Sequence, residues 1–305
     1  MRIAALDIGG TAIKHCLYDD RRQFSRDIVQ ETETNALAGG VALMEHVCGI
    51  VETMGGADAI AVSTAGQVNP TEGSIIYATD NIPGYTGTMV KAILEDHFHI
   101  PAVVENDVNA AALGEAFFGA GRGCSDFLCL TYGTGIGGAI VSGQKIYYGS
   151  SCSAGEFGHI LTHAGGRKCT CGNCGCYEAY ASTRALTRLV KENCGLDMNG
   201  RQIFQAINGS KPVRDAVSVW IDEIVYGLVS LIHAFNPQRV VLGGGIMNEP
   251  YITETIRRKL PEKLMQSYRG VEIRRAELGN TAGLLGVIHL AEDGRDETKT
   301  EERIL

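Results

Sequence analysis

Apolar residues in this chain come in short runs and helical stripes that alternate. Residues 3–6 are an apolar run leading into Gly9-Gly10-Thr11, and a second β-type run follows at 12–18. That pattern predicts a strand, a tight glycine turn and a returning strand. Residues 37–51 place Leu37, Val41, Met44, Val47 and Val51 at helical intervals. A short buried-type strand at 59–63, an amphipathic helix at 89–98, a strand at 101–105 and an alanine-rich helix at 109–118 follow. The order then restarts with a strand at 126–132, the glycine-rich stretch 133–138 and a strand at 139–141. LDIGGTAIKHCLYDD and LTYGTGIGGAIVSGQ both read as strand, Gly/Thr turn, strand, an internal repeat spaced by roughly 120 residues. Helices are expected at 177–193, 213–235, 251–264 and 281–290, and strands at 239–242 and 271–275. Residues 292–305 are mostly charged, have no apolar period and read as a frayed tail. Strands alternating with helices predict an α/β fold, and two related units facing each other would set two glycine turns across a ligand cleft.

Composition narrows the class. The 305 residues are 45% hydrophobic and 20% charged, an ordinary soluble balance with room for two domains. A net charge of −8 with no basic stretch argues against nucleic acid. The N-terminus has one positive side chain and too short an apolar run for a signal peptide. The most apolar helix pattern, 216–235, contains Asp222 and Glu223, so a buried core helix is expected rather than a membrane span. Ten cysteines without a secretory signal fit a reducing, cytoplasmic location.

Three stretches carry candidate chemistry. In Asp7-Ile8-Gly9-Gly10-Thr11, glycines let backbone N–H groups approach an anion, and Asp7 at a strand end suits a Mg²⁺-bound water; the plainer reading is an unliganded hairpin turn. Neither glycine turn is a Walker A loop, which needs Gly-Lys-Ser/Thr, or a Rossmann turn, which needs a following helix. A third run, Gly243-Gly244-Gly245, also follows a strand, where a base or ribose could lie on backbone. In Glu105-Asn106-Asp107, at a strand-to-helix junction, Asp107 suits the general base of phosphoryl transfer, and an N-cap is the competing reading.

The third stretch is FGHILTHAGGRKCTCGNCGCYE, with Cys169, Cys171, Cys174 and Cys176 inside eight residues and His159 ten positions upstream. Thiolates and imidazole at this spacing suit tetrahedral zinc, held by the four thiolates or by His159 with three of them. Gly172 and Gly175 allow the sharp turns of a tight chelate. The remaining cysteines and histidines form no ligand-type cluster, and Trp220 is expected in the core.

Together, DIGGT with Lys14 following, ENDVNAAALGE, TYGTGIGGAIV, and GEFGH with CTCGNCGCYEAYAS resemble the ROK sugar kinases over nearly the whole chain. These form a branch of the actin/hexokinase/Hsp70-like ATPase superfamily, and the resemblance is to its zinc-containing members. It implies two RNase H-like domains: 1–117 with 283–295, and 118–282 with a zinc-binding insertion at 159–178, leaving 296–305 as a charged tail. It further implies ATP, Mg²⁺, a structural Zn²⁺ and phosphorylation of the 6-hydroxyl of a hexose, as in glucokinases. Asp107 would be the base; Gly66, Asn81, Asn106, Asp107, Glu156, His159 and Glu178 would contact the sugar. Asp7, Gly9, Gly10, Thr11, Lys14, Thr134, Gly135, Gly137 and Gly138 would serve the phosphates, and Gly243, Gly244 and Gly245 the adenosine. Zinc would fall to His159, Cys169, Cys171 and Cys176, leaving Cys174 variable.

The chain departs from the family at Ser63-Thr64-Ala65-Gly66-Gln67, where members often carry Pro-Gly-Pro. This keeps N-acetylmannosamine, other amino sugars and β-glucosides open as substrates beside glucose. The family also includes transcriptional regulators with a winged helix-turn-helix ahead of the sugar domain, for which Asp7, already ending the first strand, would leave no room. A non-catalytic sugar sensor would be expected to lack the base or a phosphate turn. Members form homodimers or homotetramers, and no membrane or nucleic-acid partner is expected.

Overall fold

The computed structural model describes residues 1–22 and 24–301, and for 294–301 the backbone alone. The chain divides into two compact units, Met1–Gly119 with Tyr148–Ala154 and the stretch from Asn280 onward, and Ala120–Tyr147 with Gly155–Gly279.

The first unit runs through β1 (Arg2–Ile8), β2 (Ala12–Asp19), β3 (Gln30–Glu33), α1 (Gly40–Met54), β4 (Ala59–Thr64), the short hairpin β5 (Gln67–Asn69) and β6 (Ser74–Tyr77), α2 (Val90–Phe98), β7 (Ala102–Asn106) and α3 (Asp107–Phe118). A C-terminal helix, Ala282–Glu301, completes it. The sheet order is β3-β2-β1-β4-β7, with β1, β2 and β3 antiparallel and β1, β4 and β7 parallel. Because side chains alternate along a strand, β1 feeds two cores. Ala4, Leu6 and Ile8 pack with Leu43, Met44 and Val47 of α1 and Leu94 of α2; Ile3 and Ala5 pack with Ala110 of α3 and Leu284, Val287 and Ile288 of the C-terminal helix. Helices therefore cover both faces. Gly114 and Gly286 make the second layer close-packed, since a Cβ on either would meet the backbone of Ala282 or Ala110.

The second unit contains β8 (Phe127–Tyr132), β9 (Ile136–Ser142), β10 (Lys145–Ile146), α4 (Glu178–Ala181), α5 (Thr183–Cys194), α6 (Gly200–Ala206), α7 (Lys211–Phe235), β11 (Arg239–Gly243), α8 (Pro250–Lys259) and β12 (Glu272–Arg275). Its sheet order is β10-β9-β8-β11-β12, with the same division into three antiparallel and then parallel strands. The repeat read in the sequence is thus a repeat of topology. Helix α7 is long and apolar enough to cross a membrane by length and composition. It instead buries one face against its own unit, where Trp220 is fully buried and its Nε1 donates to the carbonyls of Ala181 and Ser182, both at 3.0 Å.

Several expected elements differ. The 37–51 helix begins at Gly40, and Leu37 and Val41 are 85% and 77% exposed; the buried stripe is Leu43, Met44, Val47, Cys48, Ile50 and Val51. The 177–193 helix is two helices, broken at Ser182, whose side chain accepts from Ala185 N and starts α5. The 251–264 helix stops at Lys259, before a 3-10 turn containing Pro261. The final helix continues through the expected tail to Glu301, because a helix nucleated by its packed first half extends at little cost. Residues 302–305 of that tail lie outside the described residues. Strand β3, sequence QETE, carries no apolar signal, and pairing to β2 alone makes it a strand.

Candidate active site and metal centre

The first unit gathers its candidate residues at the carboxyl ends of β1, β4 and β7, the usual ligand edge of an open parallel sheet. Register sets Asp7 beside Ser63, Ser63 beside Glu105 and Thr64 beside Asn106. Ser63 Oγ donates to Asp7 Oδ1 at 2.7 Å, and Lys14, opposite Asp7 in the hairpin, brings its Nζ to 3.8 Å from Oδ2. Gly9, Gly10 and Thr11 form the turn that follows. Burial raises the Asp7 carboxyl, opposed by Ser63 and Lys14.

Asn106 caps α3: its Oδ1 accepts from Val108 N (3.0 Å) and Asn109 N (3.1 Å). Its Nδ2 donates to Gly66 O (2.8 Å) and Asp107 Oδ1 (2.9 Å). The cap role thus belongs to Asn106, and Asp107 is the first helical residue. Burial, then the negative charge of Asp7, pushes the Asp107 carboxyl up to about 6. Gly66, at φ 104°, turns the chain after β4. Asn81 is exposed in the connection between β6 and α2.

Two groups to which the sequence assigned no role complete this corner. Glu105 is buried, and its Oε1 accepts from Asn106 N (2.8 Å) and Asn109 Nδ2 (3.1 Å). Its Oε2 accepts from the Tyr148 hydroxyl (2.6 Å), carried by the segment Tyr148–Ala154. No local motif marks Tyr148.

In the second unit only Gly133, Thr134 and Gly135 lie in the turn; Gly137 and Gly138 belong to β9, opposite Thr131 and Leu130. A Cβ on Gly138 would meet the Phe157 ring and the Gly155 carbonyl, so this glycine lets the Glu156–His159 turn lie against the sheet. Gly243 pairs with Thr131, Gly244 (φ 96°) packs on the Tyr132 backbone, and Gly245 opens a 3-10 turn. Glu178, buried at the start of α4, sits behind the 133–135 turn: Ile136 N lies 3.4 Å from its Oε2, and Thr170 Oγ1 donates to its Oε1 at 2.9 Å.

His159, Cys169, Cys171 and Cys176 offer four ligand atoms that all lie within 4.8 Å of one another. His159 Nδ1 to Cys169 Sγ and Cys171 Sγ to Cys176 Sγ are both 3.6 Å. A tetrahedral zinc with bonds near 2.0–2.3 Å requires ligand–ligand edges of about 3.6–3.8 Å, so the set fits that ion. Cys174 is not among the four. Gly175, at φ 88°, packs against the His163 carbonyl, bending the loop back so that Cys176 enters the cluster. Burial, then Cys171 and Cys169, pushes the Cys176 thiol up to about 12. Thiolates gathered so closely need a cation to neutralise them. His159 turns its other nitrogen, Nε2, toward Glu156 Oε2 at 4.0 Å.

The duplicated sheets define a protein of two RNase H-like domains, the architecture of actin-like ATPases. The profile described as the ROK family matches residues 3–294, and the chain belongs to that family. It is 38% identical to the uncharacterized protein CPE0188 of Clostridium perfringens, over 94% of this chain and 96% of the relative. It is 33% identical to a Streptomyces coelicolor glucokinase (94% and 96% covered) and to a Listeria innocua beta-glucoside kinase (97% and 100%). Among solved structures, a ROK hexokinase from Thermus thermophilus aligns with a TM-score of 0.81 at 34% identity, covering 94% of this chain and 96% of the other. A ROK family glucokinase from Streptomyces griseus, in complex with glucose and AMPPNP, aligns at 0.79 and 30%, covering 95% and 99%. The glucokinases, beta-glucoside kinase and hexokinase among these relatives are sugar kinases.

Proposed function

We propose that the protein transfers the terminal phosphoryl group of ATP to the 6-hydroxyl of a hexose, as a glucokinase does. The observation that carries this is Asp107, a half-buried acid at the start of α3 whose carboxyl is pushed up to about 6 by burial and by Asp7 of β1. A base of that strength is ionised at neutral pH yet takes a proton readily. Asp107 removes the 6-hydroxyl proton as that oxygen bonds to the terminal phosphorus; the bond from phosphorus to the bridging oxygen breaks and ADP leaves.

Gly66, Asn81, Asn106, Asp107, Glu156, His159 and Glu178 would contact the sugar hydroxyls. Gly9, Gly10, Thr11 and Lys14, with Thr134, Gly135, Gly137 and Gly138, serve the phosphates, and Gly243, Gly244 and Gly245 the adenosine. Asp7 would orient a Mg²⁺-bound water, and Mg²⁺ neutralises phosphate charge when bound. Zinc on Nδ1 would fix the His159 tautomer and leave Nε2 for the sugar. Ten free thiols suit a reducing cytosol, where the enzyme would act as a homodimer or homotetramer.

A second reading, a kinase of β-glucosides, N-acetylmannosamine or another amino sugar, is favoured by the 63–67 segment. Gln67 of that segment is engaged by Ser153 Oγ at 3.1 Å, which ties this loop to Tyr148–Ala154. Ser63 serves Asp7 instead. A coupled ADP-release screen over glucose, mannose, N-acetylmannosamine and β-glucosides tests both readings. Turnover of glucose above the others supports the first, and none with any sugar removes both. A shift of upstream DNA in a gel assay, with no sugar turned over, would favour a regulator.

A further inference from the structure

The chain leaves the second unit at Tyr148, joins the first for seven residues, and returns at Gly155. The excursion is closed on itself by Ala154 N donating to Tyr148 O at 3.0 Å. It is tied to the first unit at both ends: by Tyr148 on Glu105 (2.6 Å) and by Ser153 on Gln67 (3.1 Å). The two ties differ in consequence. Gln67 begins a surface hairpin, whereas Glu105 lies under the corner that carries Asp107.

Glu105 shares its carboxylate among three donors on three segments. Asn106 N is the last amide of β7, Asn109 Nδ2 comes from the first turn of α3, and the Tyr148 hydroxyl comes from the excursion. The first two set the angle at which β7 turns into α3, and that angle aims Asp107. The third holds the carboxylate in the rotamer that reaches the other two.

We propose that Tyr148 is a positioning residue for Asp107, acting through Glu105. The phenol touches no reacting atom; it holds the acceptor that fixes the strand-to-helix corner. This rests on the reading of Asp107 as base. A buried carboxylate that loses one of its donors is left unsatisfied and shifts toward another, and a displacement near 1 Å at a reacting group is enough for about a hundredfold loss of rate.

The test uses the full chain with its metal and measures steady-state kinetics, zinc content and melting temperature for four variants. Tyr148→Phe and Glu105→Gln are expected to lower kcat by about tenfold to a hundredfold with the KM for ATP within about twofold, a loss confined to the chemical step. Zinc content stays at the wild-type level. Ser153→Ala, which cuts the other tie, keeps wild-type kcat. A merely structural strap would give the opposite split: lower melting temperatures in Tyr148→Phe and Ser153→Ala alike and unchanged kcat at a permissive temperature, which overturns the proposal. Asp107→Asn is run beside them. Full turnover there removes the base and the proposal together, whereas lost turnover there with normal Tyr148→Phe kinetics overturns the proposal alone.

Discussion

Replacing Asp107 by Asn separates a catalytic acid from a helix-stabilising one, because the two roles move stability in opposite directions. Asn keeps an oxygen to accept from Val108 N and Asn106 Nδ2, so the local hydrogen bonds survive. What is lost is a charge that burial and Asp7 disfavour. Holding a carboxyl at about 6 rather than 3.8 costs the folded state about 3 kcal/mol when ionised, at about 1.4 kcal/mol per tenfold change in acidity. The raised folded value sets the sign. Below pH 3.8 both states are protonated and no penalty exists. As pH rises the unfolded chain ionises first, and the penalty is complete above about 6. An acid in the first helical turn returns only about 0.5 kcal/mol through the helix dipole, so burial dominates.

Asp107→Asn is therefore expected to be more stable than wild type at pH 8, by about 1–3 kcal/mol, and to lose that advantage at pH 4. Turnover should fall by about 10²–10⁴. Thermal melts at the two pH values and a coupled ADP-release assay read both effects. A variant less stable than wild type at pH 8, or one turning over within a few-fold of it, refutes the reasoning.

Activity should fall as pH drops through about 6, when Asp107 takes up its proton, and Asp7→Asn, by removing a neighbouring negative charge, should move that limb to lower pH in whatever activity remains; an unmoved limb contradicts the pairing. Cys176→Ala should abolish zinc binding and raise the sugar KM about tenfold or more, whereas Cys174→Ala should keep one zinc per chain by elemental analysis. Gly138→Ala forces a methyl into the Phe157 ring and should lower stability by about 1–3 kcal/mol in thermal melts. Gly286→Ala, against the Ala110 carbonyl, should destabilise by a similar amount through the α3 packing; a neutral result would show that the two helices can separate without loss.

Local sequence signals determined much of this protein. Buried apolar runs marked β1, β4, β8 and β11, glycines marked the turns after β1 and β8, and a dense cysteine stretch marked the metal cluster. Each is an effect of neighbouring residues on one another: alternation along a strand, freedom at a glycine, the reach of a short chelating loop. Tertiary structure decided the rest. Strand β3 exists because β2 offers it a partner, and the last helix extends because its first half is packed. Cys174 and Cys176 look alike in sequence, and the bend at Gly175 separates the thiol outside the cluster from the one within it. Tyr148 and Glu105 stand 43 residues apart, and Ser63 and Asp7 56. A hydrogen bond across such a distance leaves no period in the chain, because each residue's local neighbours are the same whether or not its partner is present. Burial likewise raises the Asp107 carboxyl, and the charge that adds to it comes from Asp7 on β1, far away in the chain.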